Sequence, residues 1–409
     1  MSTPKRQPAP GPRQCGTETA SNILPAPPGD KAGNPQRLDP GEEPLSIAGW
    51  QSARGAREPP SKLLGLTVVE YREILSEPWV EDYLRSLEAG LRTVVATPDP
   101  LITEVATHLI GAGGKRIRPI IAFAASLAVA SPDGRTQAIV DCAIAVELVH
   151  LASLYHDDVM DEASERRGVS SVNARYGNLL AIVTGDYLLA RAAEIAARLG
   201  QGVAELLAAT LAKMCEGQIL EVGAAGNLDR SAESYLQAIS GKTASLMATS
   251  ARIPGIIAGA PEPLLDAITK IGENLGLIFQ LRDDILDLFA SRETLMKEPG
   301  QDLVEGVFTL PVILALRDSS VRQELQRLLG TSVSAEDRLV ATKLIRESGS
   351  LPEALGVLDS YAEANRRLAA EIAGEAPGSV HLEWFIRLGN ALTADAKRIA
   401  IGLAAEAAG

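Results

Sequence analysis

Two clusters of aspartate share the pattern Asp-Asp-x-x-Asp, where x is any residue. Their members are Asp157, Asp158 and Asp161 in the first cluster, and Asp283, Asp284 and Asp287 in the second. Residues four positions apart lie nearly above one another on an α-helix, so each cluster directs two carboxylates toward one point. Such like charges repel, which raises carboxylate pKa values unless a cation neutralises them. Hard oxygen ligands are typical of Mg²⁺, which also binds substrate phosphates and water. The clusters therefore predict a magnesium site with a phosphorylated substrate.

Basic side chains lie near both clusters, as binding of a magnesium diphosphate requires. They are Lys115 and Arg118 in the segment GGKRIRP, Arg166 and Arg167 after the first cluster, Lys242 beside Thr243, Arg282 before the second cluster, and Lys297 after it. The glycines of GGKRIRP allow the backbone to approach a ligand closely, and Pro119 suits the first turn of a helix. Each basic residue alone is more often a solvated surface charge, so the prediction depends on the whole set.

Other interpretations of these residues are weaker. One Asp-Asp-x-x-Asp pattern alone is usually a solvated acidic turn. Glu147-x-x-His150 is half of a carboxylate-bridged di-iron site, but no second Glu-x-x-His occurs in the chain. His150 precedes Asp157 by two helical turns and is either a diphosphate donor or a satisfied core histidine. Gly241-Lys242-Thr243 lacks the glycine-rich turn between strand and helix that a P-loop requires.

Helices must position nearly all of these residues. Apolar residues recur at helical spacing from Leu63 onward, and aromatic residues make up only 4% of the chain. The predicted helices cover 67–95, 98–111, 119–130, 134–162, 171–198, 201–222, 230–251, 262–290, 308–328, 334–348, 351–373 and 380–406. The helices at 134–162 and 262–290 are apolar on nearly every side, which predicts burial inside a bundle. They carry the two aspartate clusters, and the fold class is all-α.

Composition limits the remaining possibilities. The chain has 409 residues and a net charge of −13, which argues against binding nucleic acid through bulk charge. Half of its 24 prolines precede residue 61, so residues 1–62 are expected to form a disordered tail and 63–409 an all-α domain. Three isolated cysteines form no disulfide framework, which favours a reducing cytoplasm. No uninterrupted apolar run reaches about 20 residues, so no membrane span and no export signal are expected.

The order of the motifs resembles that of the trans-prenyl diphosphate synthases, also called polyprenyl synthetases. The similar segments are GGKRIRP at 113–119, ELVHLASLYHDDVMDEASERRG at 147–168, GDYLLARA at 185–192, GKTASL at 241–246, FQLRDDILD at 279–287 and KEPGQDLVEG at 297–306. The resemblance spans residues 67–409 and implies an isoprenoid-synthase-type helical bundle around a deep central cavity. It also implies a homodimer that condenses isopentenyl diphosphate with an allylic diphosphate in trans.

The resemblance assigns roles to individual residues. Asp157, Asp161 and Asp283 are similar to the main magnesium ligands, with Asp158, Asp284 and Asp287 in support, and three Mg²⁺ ions are implied. The residues expected to bind isopentenyl diphosphate are Lys115, Arg118, His150 and Arg167; those expected to bind the allylic diphosphate are Arg166, Lys242, Thr243 and Lys297, with Gln280 nearby. The six aspartates and Lys242 form the expected catalytic set. Val307 is a departure, because many relatives have lysine at this position, and Glu298 replaces a common proline.

The same resemblance implies that product length depends on the side chains one helical turn before the first cluster. Ala152 and Ser153 occupy these positions, and their small side chains predict an open tunnel and a product of six or more isoprene units. Tyr155 lies about 200° around the helix from the first aspartate and should point away. Alternatively, Tyr187 or a leucine near Leu179 closes the tunnel, and the product is geranylgeranyl diphosphate.

Two other functions share part of this pattern. Terpene cyclases have similar ionisation chemistry, but they typically combine one aspartate-rich motif with a differently spaced second motif. A non-catalytic regulatory subunit of a prenyl synthase usually loses an aspartate cluster, and both are complete here. Activity of the purified chain would separate an enzyme from such a subunit.

Overall fold

Helices make up almost all the regular structure of the described residues. The computed structural model describes residues 78–129, 137–290, 299–330 and 333–407, without the side chains of 78–79 and 399–407. The helices are α1 (Pro78–Val95), α2 (Pro100–Gly111), α3 (Ile117–Val129), α4 (Gln137–Met160), α5 (Val172–Tyr176), α6 (Asn178–Leu199), α7 (Gln201–Gly223), α8 (Ala232–Ile239), α9 (Ser245–Ala258), α10 (Glu262–Phe289), α11 (Gln301–Val304), α12 (Leu310–Ala315), α13 (Ser319–Leu329), α14 (Ala335–Glu347), α15 (Ser350–Ile372) and α16 (Leu382–Ala407).

Three smaller elements complete the described fold. A π-helical turn, Ser240–Ala244, joins α8 to α9, and a 3₁₀ turn, Ser379–His381, precedes α16. Two short antiparallel strands, β1 (Glu165–Arg166) and β2 (Val169–Ser170), form a hairpin just after α4. This hairpin carries two of the basic residues predicted to bind substrate.

The all-α prediction is confirmed, and several predicted boundaries agree with the structure within a few residues. The helix predicted at 171–198 is divided at Gly177, whose φ of 86° ends α5 before α6 begins. The helix predicted at 230–251 is divided by the π turn, and α9 then continues to Ala258. The helix predicted at 308–328 is two helices, α12 and α13. The predicted tail, 1–62, lies outside the described residues.

Helix α4 is packed on several sides, by α6 above all and also by α1, α3 and α9. Its burial explains its hydropathy, because a helix surrounded by others has no polar face to present to water. By length and composition alone this helix could cross a membrane, although charged residues interrupt its apolar sequence. It is the one such helix among the described residues, and 67% of its most apolar 18-residue stretch is buried inside the bundle.

Two glycines allow the π turn to lie close to the helices on either side of it. A Cβ atom added at Gly217 of α7 would lie 2.3 Å from the backbone nitrogen of Lys242. A Cβ atom added at Gly276 of α10 would lie 2.5 Å from the Cα of Ala244. Because real Cβ atoms do not approach other atoms this closely, larger residues at either position would displace the turn. The π turn is thereby held between α7 and the helix that carries the second aspartate cluster.

Candidate active site

A cavity of about 970 Å³ opens among α4, α6, α7, α9 and α10. Apolar residues contribute one part of its wall: Val149, Leu154, Leu189, Leu211, Met214, Met247 and Phe279. Polar and charged residues contribute another part: Lys115, Arg118, His150, Asp157, Arg166, Arg167, Lys242, Thr243, Gln280 and Asp283. An ionic group and an apolar group of one ligand can therefore both contact this wall.

The first aspartate cluster lies at the end of α4. Asp157 lines the cavity, and burial raises its pKa to about 6, while the nearby Lys242 ammonium lowers it. Asp158 is fully buried and accepts a hydrogen bond of 2.6 Å from Arg166 Nε; burial raises its pKa against the opposing effect of that guanidinium. Asp161 is exposed one turn farther on, with its pKa raised by partial desolvation.

The second cluster lies at the end of α10. Asp283 lines the cavity and pairs with Arg282 at 2.6 Å. Asp284 is buried and accepts hydrogen bonds from the Tyr235 hydroxyl and from Gln280 Nε2, the latter at 2.8 Å. Burial is the main reason that the pKa of Asp284 rises to about 7. Asp287 is also buried, and its carboxylate accepts a hydrogen bond of 3.2 Å from the backbone N–H of Asp302.

The structure thus brings one aspartate of each cluster, Asp157 and Asp283, to the same cavity. The other four are not part of the described cavity wall: Asp158, Asp284 and Asp287 are buried among protein groups, and Asp161 is exposed just after α4 ends, where it interacts electrostatically with Lys242. The raised pKa values arise mainly from burial, and repulsion between carboxylates, the cause inferred from the sequence, is a smaller effect.

The donor set fits a hard divalent cation. In the described part of the chain, no three His, Cys, Asp or Glu side chains form a group that could hold a metal. Two carboxylates that line the same cavity as several lysine and arginine side chains match the preference of Mg²⁺ for one or two protein carboxylates completed by phosphate oxygens and water. Asp157 and Asp283 would hold the metal, and the charge of a bound cation would favour the ionised form of Asp157 against the effect of burial.

The GGKRIRP segment contributes cations to the cavity. Lys115 Nζ lies 5.5 Å from the centre of the Phe279 ring, and burial lowers the pKa of Lys115. Burial also lowers the pKa of Arg118 to about 10, and its buried Nε has no hydrogen-bond partner among the described residues. The pKa of His150 falls well below its usual value because of burial and the adjacent arginines. An anion placed among these groups would supply the missing partner and relieve their repulsion.

The hairpin and the π turn supply the remaining predicted donors. Arg167 donates to the backbone carbonyls of Gly113 and Leu109, so the hairpin is tied to the GGKRIRP segment. Lys242 pairs with Glu221, and the Thr243 hydroxyl donates to Gln280 Oε1 at 3.0 Å. Lys297 and Glu298 lie outside the described residues. Val307 lies in the turn after α11, where its N–H donates to the Asp302 carbonyl at 2.8 Å.

Several residues of the site were not found from the sequence. Arg116, with a φ of 48°, is buried between Glu88 and Glu147, and both distances are 2.7 Å. Glu147 therefore holds the GGKRIRP segment in place through Arg116. Glu221 and Tyr235 orient Lys242 and Asp284 respectively, yet they lie 21 and 49 residues away in the chain. No sequence spacing signals such pairs.

The two predicted chain-length residues differ in position. Ser153 lines the cavity, whereas Ala152 is fully buried and lies outside the described wall. Tyr155 points away, as expected, and its hydroxyl donates to the Val105 carbonyl at 2.7 Å. Tyr187 donates to the Val95 carbonyl at 3.3 Å, and Leu179 is 75% exposed, so neither is part of the described cavity wall.

Comparison with known proteins identifies the family. The family model described as polyprenyl synthetase matches residues 99–346. Over 296 residues the chain is 38% identical to nonaprenyl diphosphate synthase of Mycobacterium tuberculosis, covering 71% of this chain and 87% of that protein.

Two solved structures give the same result. A polyprenyl synthase from Caulobacter crescentus, complexed with calcium and isoprenyl diphosphate, is 31% identical with a TM-score of 0.69, and the match covers 78% of this chain and 97% of that one. A geranylgeranyl pyrophosphate synthase from Corynebacterium glutamicum, also complexed with calcium and isoprenyl diphosphate, is 34% identical with a TM-score of 0.66 over 79% and 98% of the chains. The chain belongs to the polyprenyl synthetase family. It is a trans-prenyltransferase with the all-α fold of that family.

Proposed function

We propose that this protein is a Mg²⁺-dependent synthase that condenses isopentenyl diphosphate with an allylic diphosphate and builds a trans-polyprenyl diphosphate of six or more isoprene units. The observation that carries the proposal is the convergence of Asp157 and Asp283 on one cavity that is lined by cations and apolar side chains. Two structural relatives are complexed with calcium and isoprenyl diphosphate, which supports a divalent metal and this class of substrate.

The allylic diphosphate is assigned to the side of the cavity formed by the π turn. Lys242 and Thr243 face it there, with Arg166 from the hairpin and Gln280 from α10. The aspartate clusters, of which Asp157 and Asp283 line the cavity, would hold three Mg²⁺ ions, and these would supply Lewis-acid stabilisation of the departing diphosphate. Lys242 adds positive charge where that diphosphate becomes more negative, because its pKa is kept high by Glu221 and the first cluster, despite burial.

Isopentenyl diphosphate is assigned to the cations of the GGKRIRP segment, His150 and Arg167. Lys115 and Arg118 bind its phosphate oxygens, and the neutral His150 donates a hydrogen bond. Its double bond then attacks the allylic carbon, the carbon–oxygen bond to diphosphate breaks, and a proton is lost from the new cation to the diphosphate by-product. Val149, Leu154 and the other apolar wall residues exclude water, which would otherwise quench the cation.

The length of the product follows from the wall near the first cluster. Ser153 leaves space one turn before Asp157, and neither Tyr187 nor Leu179 is part of the described wall. The nonaprenyl relative is consistent with a long product. Geranylgeranyl diphosphate is the second candidate, because the Corynebacterium relative of similar identity makes a shorter product by its name.

We also propose that the protein forms a homodimer and acts in the cytoplasm. Exposed apolar residues on neighbouring helices support the dimer: Leu179, Ile182 and Val183 on α6, and Ile219 and Val222 on α7. Exposed patches of this kind mark association surfaces, and a second copy of the chain would cover them.

The test is a product analysis of the purified chain. The enzyme is incubated with Mg²⁺, labelled isopentenyl diphosphate and each allylic primer in turn, and the dephosphorylated products are sized by chromatography. Products of thirty carbons or more are expected, whereas the variant Asp283→Asn should form little product of any length. A twenty-carbon product would support the second candidate. No product with any primer would contradict an autonomous enzyme and favour a non-catalytic subunit.

A further inference from the structure

Arg282, just before the second cluster, is held between two carboxylates. Its Nη1 donates to Asp283 at 2.6 Å, and its Nε donates to Asp395 at 2.8 Å. Its Nη2 also pairs with Asp395, so the second contact has two hydrogen bonds. Asp395 belongs to α16, 113 residues later in the chain and beyond the segment that the family model matches. The last described helix therefore reaches the active site through one carboxylate.

The three side chains of this group differ in their exposure to water. The side chains of Arg282 and Asp395 are 8% and 10% exposed, whereas that of Asp283 is 38% exposed and faces the cavity. Burial of a charged pair of this kind is costly unless both partners are satisfied, so the guanidinium keeps a fixed position. Asp283 is the member of the three that remains accessible to a ligand.

Arg282 and a metal ion compete for the same carboxylate. A guanidinium with no other partner would turn both of its parallel N–H groups toward Asp283, because this fork geometry is the strongest arrangement. Asp395 accepts from Nε and Nη2, which form one fork of the guanidinium, and Asp283 accepts a single hydrogen bond from Nη1. Because Arg282 contacts only Oδ1 of Asp283, the other carboxylate oxygen is left for a ligand in the cavity.

The local charge supports the same argument. Lys115 interacts electrostatically with Asp283, Arg282 and Asp395, so two cations and two carboxylates form one group beside the cavity. Loss of the Asp395 charge would leave this group with an excess positive charge at the position where a divalent cation must bind. Coulomb repulsion in such a poorly solvated place is stronger than in water.

We propose that Asp395 is a positioning residue for the second metal-binding cluster: it holds Arg282 by two hydrogen bonds and so keeps Asp283 available to Mg²⁺. The inference rests on the proposed function, since it assumes that Asp283 binds metal. It adds a residue of the C-terminal helix to the metal site, where the sequence motifs include none.

The first experiment measures Mg²⁺ binding without turnover. Wild type and the near-isosteric variant Asp395→Asn are titrated with MgCl₂ in the presence of inorganic diphosphate, by isothermal titration calorimetry. We expect Mg²⁺ affinity to fall roughly tenfold in the variant, as is typical when a group that orients a metal ligand is removed. The matched control is Asp359→Asn. This variant removes a surface ion pair of 2.7 Å between Asp359 of α15 and Lys397 of α16, the helix that carries Asp395, and it should bind Mg²⁺ as wild type does.

The second experiment asks whether the effect passes through Arg282. The titration is repeated with Arg282→Gln and with the double variant, which closes a double-mutant cycle. Once the guanidinium is absent, Asp395→Asn should no longer weaken Mg²⁺ binding. An equal loss of affinity in both backgrounds would overturn the proposal, because Asp395 would then act without Arg282.

Thermal unfolding separates positioning from a structural ion pair. A lower unfolding temperature of Asp395→Asn with unchanged Mg²⁺ affinity would overturn the proposal. If the proposed function itself is wrong, the outcome differs: the wild-type protein would then show no Mg²⁺ binding in the presence of diphosphate. Normal binding by wild type and by Asp395→Asn would reject only the role of Asp395.

Discussion

The buried carboxyl group of Asp284 should make the free energy of unfolding depend on pH. Its carboxylate is buried beside Tyr235 and Gln280, and its pKa is raised from the usual 3.8 to about 7, chiefly by burial. The folded protein therefore holds this proton more tightly than the unfolded chain does. Stability from this group is fully present below the unfolded pKa and is lost as the pH rises through the folded pKa. The replacement Asp284→Asn removes this dependence.

The size of the effect follows from the two pKa values. One pKa unit corresponds to about 1.4 kcal/mol. From pH 5 up to the folded pKa of about 7, the carboxyl group is ionised in the unfolded chain but protonated in the folded protein, so stability declines over about two pH units. The free energy of unfolding of the variant should therefore increase relative to that of wild type by about 3 kcal/mol over this range. The comparison across pH removes the constant cost of replacing a hydrogen-bonded carboxylate with an amide.

The assay is urea unfolding of both proteins at several pH values, in the presence of EDTA so that no divalent metal contributes. Tyr235→Phe is the matched control with the opposite sign. The hydrogen bond from Tyr235 lowers the pKa of Asp284, so its loss should raise that pKa and steepen the decline in stability with pH. A raised pKa of Asp284 is contradicted if the difference in unfolding free energy between Asp284→Asn and wild type is the same at pH 5 and pH 8, or if Tyr235→Phe makes the decline in stability less steep.

Three further predictions concern the cavity and its supports. Ser153→Phe should give products with fewer isoprene units by chromatography, because Ser153 lines the cavity. An unchanged product would contradict a role of Ser153 in chain length. Its neighbour variant Ala152→Phe should instead lower the unfolding free energy in urea by about 1–3 kcal/mol, because Ala152 is fully buried. Glu147→Gln should lower the unfolding free energy by about 3 kcal/mol, since it weakens the pairing of the buried Arg116, and unchanged urea unfolding would contradict this. Gly217→Ala should reduce turnover roughly 10–100-fold by displacing the π turn, and full activity would show that the turn can adjust.

The helices could be predicted from sequence because their apolar residues recur at helical spacing. The helix predicted at 262–290 matches α10, Glu262–Phe289. The π turn could not be predicted, because it depends on the close approach of Gly217 and Gly276 from two separate helices. The hairpin was also missed, since two residues in each strand give no periodic pattern.

The site was predictable where one element supplies its chemistry. The aspartate clusters and the GGKRIRP segment are continuous in sequence, and the structure places Asp157, Asp283 and Lys115 around one cavity. Spacing alone could not separate aspartates that face the cavity from those that face protein groups, because the distinction depends on partners such as Tyr235. The partner Asp395 was missed for the same reason, since only the packing of α16 against α10 brings it to Arg282.

The central claim is that both clusters bind metal together at one diphosphate site. The most direct measurement is a crystal structure of the enzyme with Mn²⁺ and a non-cleavable thio analogue of an allylic diphosphate, with the metal located by its anomalous scattering. We expect anomalous peaks that contact both Asp157 and Asp283 and the diphosphate oxygens, with the isoprenoid chain against Ser153 and Leu154. Peaks at only one cluster, or a diphosphate bound away from Lys242, would contradict a metal site shared by the two clusters.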